Sequence, residues 1–163
     1  MRPGRRVGVD VGQARVGVAI CDPDGLIATP VESVTRDLNG EKDLDRVAEL
    51  CTEFEAVEVV VGLPLSLSGV EGSAAVAARE YARRLASRVR PVPVRLVDER
   101  LTTVDAHRSL RDAGRGTRTH RSVIDQQSAV LILQTALDIE RATNWPAGEQ
   151  LLSRKPRASR RRN

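Results

Sequence analysis

Aromatic residues are nearly absent: Phe54, Tyr81 and Trp145 are the only three in 163 positions. That is too few for the stacking platforms that bind single-stranded nucleic acid through its bases. Cysteine and histidine are equally scarce. Cys21 and Cys51 make no C-x-x-C pair, and with only His107 and His120 beside them no zinc constellation of usable spacing can be built. No apolar run approaches the ~20 residues of a membrane span, and the early arginines lead into alternating strand residues instead of an apolar leader. A cytoplasmic protein without a membrane partner is expected. The spaced glycines of "GQARVG" lack the Lys-Ser/Thr of a P-loop and precede a strand, which excludes that nucleotide site.

Acidic residues are missing from one place. Residues 154–163, "RKPRASRRRN", carry six basic groups and no acid, and the rest of the chain has 20 basic against 22 acidic groups. The net charge of +4 is therefore local. Residues 151–163 read as a basic, flexible tail, which either touches polyanions or only solubilises the chain. Residues 1–150 read as one domain, with no repeat and no internal linker.

What the sequence does hold is alternation. Val7, Val9 and Val11 alternate with Gly8, Asp10 and Gly12; Val16, Val18 and Ile20 alternate with Gly17, Ala19 and Cys21. Two strands joined by a short turn follow, and "IATPVESV" (27–34) is a third, weakened by Pro30. The period then becomes helical over 41–54. "VEVVVG" (57–62) reads as a strand buried on both faces. A helix over 73–89, a strand in "VPVRLVDE", a helix in "TTVDAHRSLRDAG" and a last helix over about 123–142 complete the chain. Short turns give an antiparallel meander and helical crossovers give parallel strands. The expected fold is α/β: a mixed five-stranded sheet flanked by helices.

Three carboxylates stand out against this pattern. Asp10 interrupts a valine strand, and alternation puts it on one face with Gly8 and Gly12, as if left uncovered for an approaching ligand. An unpaired buried carboxylate is costly, so Asp10 is paired to an arginine, bonded to a turn, or facing a cation or open water. Asp98 and Glu99 stand where a strand ends, the place where ligand chemistry gathers in open α/β sheets; either could instead cap the turn. Thr102 and Asp105 read as a capping pair, and so do Ser122 and Asp125. Asp125 also shares a helix face with Ser128 and Ala129, small residues that allow close approach to a sheet. Carboxylates without a His/Cys set suit Mg²⁺ or Mn²⁺, held by one or two carboxylates each and completed by water and substrate phosphate. Two such ions about 3.5–4 Å apart can activate water and stabilise a leaving oxygen in phosphodiester cleavage.

The cations for a phosphate backbone are close at hand. Arg108, Arg111, Arg115, Arg118 and Arg121 precede Asp125 with one acid, Asp112, among them. Arginine suits bidentate phosphate contact, and Arg115, Arg118 and Arg121, on the glycine-containing link "RGTRTHR", are the better candidates. Arg100 and Thr102, next to Glu99, are further candidates for substrate contact. Binding of this kind weakens steeply with salt.

Four segments in order, "GVDVGQARVGVAICD", "VVVGLPLSLSG", "VRLVDERLTTVDA" and "IDQQSAVLILQ", resemble the YqgF-type family of pre-16S rRNA nucleases, relatives of Holliday-junction resolvases. They span residues 7–134. The resemblance implies a ribonuclease H-like fold and a divalent-metal nuclease using Asp10, Glu99 and Asp125. It also implies precursor rRNA or branched DNA as substrate, and a homodimer if the substrate is a symmetric junction. Gln126 stands where that family often has serine. "DVGQARVG" also resembles the phosphate hairpin of actin-like and sugar-kinase ATPases, which need two such domains. An inactive RNA-binding assembly factor is the third reading.

Overall fold

The structure is a computed structural model describing residues 1–102 and 118–152, the side chains of 118–123 excepted. Alternating valines form β1 (Arg6–Val11) and β2 (Arg15–Cys21), and β3 (Ala28–Thr35) follows as the third strand of an antiparallel meander. β3 lies at the sheet edge, where a proline costs no ladder bond, and Pro30 stands opposite Ala19 next to a register shift. α1 (Lys42–Glu53) buries Leu44, Val47, Leu50 and Cys51 at helical spacing. It returns the chain to β4 (Glu58–Leu63), parallel to β1; α2 (Ser73–Val89) returns it to β5 (Val94–Asp98), parallel to β4.

The sheet has six strands in the order β3-β2-β1-β4-β5-β6, one more than expected. The extra strand, β6 (Glu149–Gln150), is two residues long and antiparallel to β5. It has no alternation to read. Gly148 makes it possible: at φ +77° its absent Cβ would lie 2.0 Å from the Leu96 carbonyl oxygen. Arg95 clamps the turn by donating to the carbonyls of Ala147 and Gly148, each at 2.7 Å. The described fold runs on to Leu151, buried and bonded through its N–H to Val94; residues 153–163 lie outside the described residues.

Helices cover both faces. Val7, Val9, Val16, Val18, Val59 and Val61 pack with the buried stripes of α1 and α2. On the other face Ala19, Val60 and Val97 meet Ala129, Ile132, Leu133, Ala136 and Leu137, all from α3 (Arg118–Thr143). Leu133 and Leu137 are each at most 1% exposed, worth about 1.5–3 kcal/mol apiece. The far end of α3 is tied down by Glu140, which accepts from Arg2 at 2.7 and 3.0 Å and pairs with the buried Arg6 at 3.4 Å.

α3 corrects two expectations. It starts at Arg118, not near 123, so Arg118 and Arg121 belong to a helix and not to a link. Ser122 then sits inside the helix, so Ser122 and Asp125 do not form a capping pair. Arg108, Arg111, Arg115 and the helix expected over 102–114 fall, beyond Thr102, outside the described residues. Cys21 and Cys51 are buried free thiols; burial pushes the Cys51 thiol up to about 12, so it behaves as a small core residue. Among the described residues no helix is long and apolar enough to cross a membrane.

Candidate active site

One row across the sheet organises the site. Ser33 on β3 is opposite Gly17 on β2, and Gly17 is opposite Asp10 on β1. One step beyond the parallel pair Val9–Val61, Asp10 is followed on its other side by Gly62 of β4. Asp10 therefore has a glycine as neighbour on each adjoining strand, both on the α3 face. The two seats are filled. A Cβ on Gly17 would lie 2.0 Å from the Asp125 carbonyl oxygen. A Cβ on Gly62 would lie 2.6 Å from Glu99 Oε1 and 2.5 Å from Ile132 Cδ1. The structure thus brings Asp125 over one neighbour of Asp10 and the Glu99 carboxylate over the other.

This revises the reading of the glycines around Asp10. Gly8 is not open space for a ligand: its Cβ would lie 2.7 Å from Leu133 Cβ and 2.9 Å from the Ala129 carbonyl oxygen. Gly8 and Gly17 let α3 lie directly on the backbone of the meander. Asp125 belongs to that contact, one helical step before Ala129 on the stripe Ala129, Ile132, Leu133, Ala136, Leu137. It holds the place where the next core residue would stand.

Burial raises the Asp125 carboxyl above its ordinary value of 3.8, opposed by the nearby charge of Arg15. Arg15 Nε stands 3.4 Å from Asp125 Oδ2. Ser33 also acts to lower that carboxyl, yet its buried hydroxyl closes no hydrogen bond of ordinary geometry among the described residues. Sequence reasoning missed both. The signal for Arg15 was present, since alternation puts it on the same face as Gly17.

Glu99 is held from both sides. Asp98 caps the 3₁₀ turn Glu99–Leu101 by accepting from the Arg100 N–H at 2.9 Å. Thr102 donates its hydroxyl to the Glu99 carbonyl oxygen at 2.6 Å. Thr102 is 4% exposed, and the contact it makes here is this support of the Glu99 turn. Arg100 pairs with Asp98 at 2.6 Å and reaches the Leu67 carbonyl at 3.4 Å, tying the 64–72 loop to this turn. Its guanidinium holds the Asp98 carboxyl below the usual range. Across the site, Arg36 donates to the Gly12 carbonyl at 2.9 Å and pairs with the buried Asp43 at 3.2 Å, fixing the hairpin that follows Asp10.

Among the described residues no three His, Cys, Asp or Glu side chains are close enough together to hold one ion. The donor set still suits hard cations. Mg²⁺ needs only one or two protein carboxylates, with water and phosphate completing its octahedron. The unsatisfied Ser33 hydroxyl can bond such a water. Asp10, Glu99 and Asp125 are all partly accessible from outside.

A mixed sheet with helices on both faces and acids gathered at one end of its central strand is the ribonuclease H-like architecture of resolvase-type nucleases. Two solved structures share it: Thermus thermophilus RuvC in complex with a Holliday junction substrate has a TM-score of 0.54, 17% identity and coverage of 91% of this chain and 99% of that one. A second T. thermophilus RuvC structure gives 0.51 at 15% identity over 90% of this chain and 99% of its own; these likenesses concern the fold. The chain belongs to the RuvX family, whose model, described as "Holliday junction resolvase", matches residues 4–139. It is 57% identical over 156 residues to a Thermobifida fusca protein named "Putative pre-16S rRNA nuclease", covering 91% of this chain and 96% of that one. A protein of the same name from Streptomyces coelicolor is 55% identical over 150 residues, 91% of this chain and 89% of its own.

Proposed function

We propose that this protein is a divalent-metal-dependent nuclease that hydrolyses phosphodiester bonds in structured RNA, with the 5′ end of pre-16S rRNA as its substrate. The observation that carries the reading is the pair of glycine seats beside Asp10, one taken by Asp125 and the other by Glu99. The Gly62 seat holds the Glu99 carboxylate and the Gly17 seat holds the Asp125 main chain, so Glu99 and Asp125 are brought to either side of Asp10; partly buried carboxylates brought together in this way are costly unless cations meet them. The names of the relatives supply the substrate.

In this reading Asp10, Glu99 and Asp125 hold Mg²⁺ or Mn²⁺, as two ions with one or two carboxylates each. The bound ions would lower the pKa of an attacking water and neutralise charge on the phosphate and leaving oxygen. The chain's own contribution is geometry. The ladder fixes Asp10, the Gly17 contact fixes Asp125, and Asp98 and Thr102 hold the turn that carries Glu99. Arg115, Arg118 and Arg121, in the segment leading to Asp125, and Arg100 beside Glu99 supply cations for the backbone, so recognition rests on phosphate and shape more than on bases.

The test compares wild type with Asp10→Asn on a labelled pre-16S rRNA fragment and on a four-way DNA junction, in Mn²⁺ and in EDTA. Cleavage of the RNA by wild type in Mn²⁺, lost in EDTA and in the variant, is the expected result. Cleavage that persists under both conditions would refute the metal mechanism. Cutting of the junction alone would move the substrate to branched DNA, and folded, binding but inactive wild type would make the protein an assembly factor.

A further inference from the structure

Several arginines among the described residues are held by two-point contacts. Arg46 grips Glu32 through two donors at 2.9 and 2.8 Å. Arg79 grips Glu71 at 2.9 and 2.6 Å, and Arg2 grips Glu140 at 2.7 and 3.0 Å. Arg15 differs. Its guanidinium makes one ion pair, with Asp125 at 3.4 Å, and no side-chain hydrogen bond is formed by it among the described residues. Its backbone is nevertheless rigid, paired with Thr35 and accepting from the Gly12 N–H at 2.9 Å across the hairpin turn. A fixed base thus carries a cation whose four terminal N–H donors make no hydrogen bond among the described residues, with its side chain 21% exposed beside Asp125.

We propose that Arg15 is a phosphate-binding residue that rests on Asp125 until a divalent cation takes its place there, and then holds a phosphodiester of the substrate. This rests on the nuclease reading given above. The reasoning is charge competition. Asp125 is a half-buried carboxylate that needs a positive neighbour, and Arg15 provides one through a long, one-point contact. A divalent ion is the stronger partner at the same oxygen, and two cations on one carboxylate repel. The guanidinium is released where phosphate oxygens must arrive if the ions are to act on them. Its planar fork matches those oxygens in two-point contact. A purely structural ion pair would show none of this exchange.

Two variants and two readouts decide it. Mn²⁺ binding is measured by calorimetry on wild type, Arg15→Gln and Arg15→Lys without nucleic acid. Binding of the labelled pre-16S rRNA fragment is measured over a KCl series, once in Ca²⁺ and once in EDTA. Arg15→Gln removes the competitor, so Mn²⁺ should bind about twofold to fivefold more tightly. In Ca²⁺ its slope of log affinity against log salt should be shallower than wild type by about 0.7–0.9, one phosphate contact. In EDTA, where Arg15 stays on Asp125, the two slopes should coincide. Arg15→Lys keeps the charge and the slope but loses the fork, so it should bind the RNA more weakly in Ca²⁺. Unchanged Mn²⁺ affinity and unchanged slope in Arg15→Gln would overturn the proposal, as would the same slope difference in EDTA and in Ca²⁺. Wild type that binds no Mn²⁺ overturns the nuclease reading and this proposal with it; wild type that binds Mn²⁺ and RNA while Arg15→Gln matches it overturns the Arg15 proposal alone.

Discussion

Gly17→Ala tests the seat beneath Asp125. The new Cβ would start 2.0 Å from the Asp125 carbonyl oxygen and 2.5 Å from its carbonyl carbon, and ordinary contact begins at 3.4 Å. Both sides are backbone, one in a ladder and one in a helix, so neither can give by a rotamer change. About 1.4 Å must come from α3 lifting off the sheet at Asp125. Overpacking of this kind costs about 1–3 kcal/mol, and at about 2–4 °C per kcal/mol for a chain of this size the midpoint falls by about 2–12 °C. Activity should fall further than stability, since displacing a reacting group by about 1 Å costs about a hundredfold. The assay pairs calorimetric melting with Mn²⁺-dependent cleavage of the pre-16S rRNA fragment, using Gly72→Ala as control because nothing lies within 4 Å of its absent Cβ. Wild-type melting and wild-type cleavage in Gly17→Ala would show that the helix does not rest on that glycine, and the account of the site would fail.

Two further outcomes follow from charge. Burial raises the Asp125 carboxyl, so the folded state holds its proton more tightly than the unfolded chain, and ionisation at neutral pH costs stability. Asp125→Asn should therefore melt above wild type at pH 7 while losing metal-dependent cleavage, with the gap closing as pH falls below the raised carboxyl value; an equal gap at pH 4 and pH 7 would contradict this. Glu140 is the opposite case: hydrogen bonding from Arg2 holds its carboxyl below 4.5, so its contribution is present at neutral pH and lost as pH falls through the lowered value. Arg2→Gln should melt below wild type at pH 7, and the difference should shrink on acidification in a melting series from pH 7 to pH 3.

The sequence made the strands and their pairing legible because alternation is local, and Val7, Val9, Val16 and Val18 announce their face without any partner. It could not say what lies on the opposite face. The small side of β1 and β2 looked open, whereas Gly8 meets Leu133 and Gly17 meets Asp125, contacts between residues more than a hundred positions apart. The start of α3 was misread for a related reason. Ser122 and Asp125 have capping spacing, but the aspartate faces the sheet and not the helix end. β6 left no trace because two residues have no period; only Gly148 marks it, through a turn that no other residue would fit. Arg15 is readable from its alternation with Gly17, although the run of arginines before Asp125 is the louder signal.

The three acids are held with different firmness, and this bears on how the site could accept ions. Asp10 is fixed by its pairing with Gly17 on β2 and stands one step beyond the last pair with β4, Val9–Val61. Asp125 is fixed through main-chain contact, because backbone of the helix, not a side-chain tip, occupies the Gly17 seat. Glu99 differs: what reaches Gly62 is its carboxylate oxygen, the end of a flexible side chain on a three-residue turn. Two acids are set by rigid elements, and the third reaches the site on a longer side chain from a turn held by Asp98 and Thr102. If ions bind as proposed, Asp10 and Asp125 would set their position and Glu99, with more rotatable bonds, would adjust to it. That third acid stands on the strand-end turn that Arg100 links to the 64–72 loop.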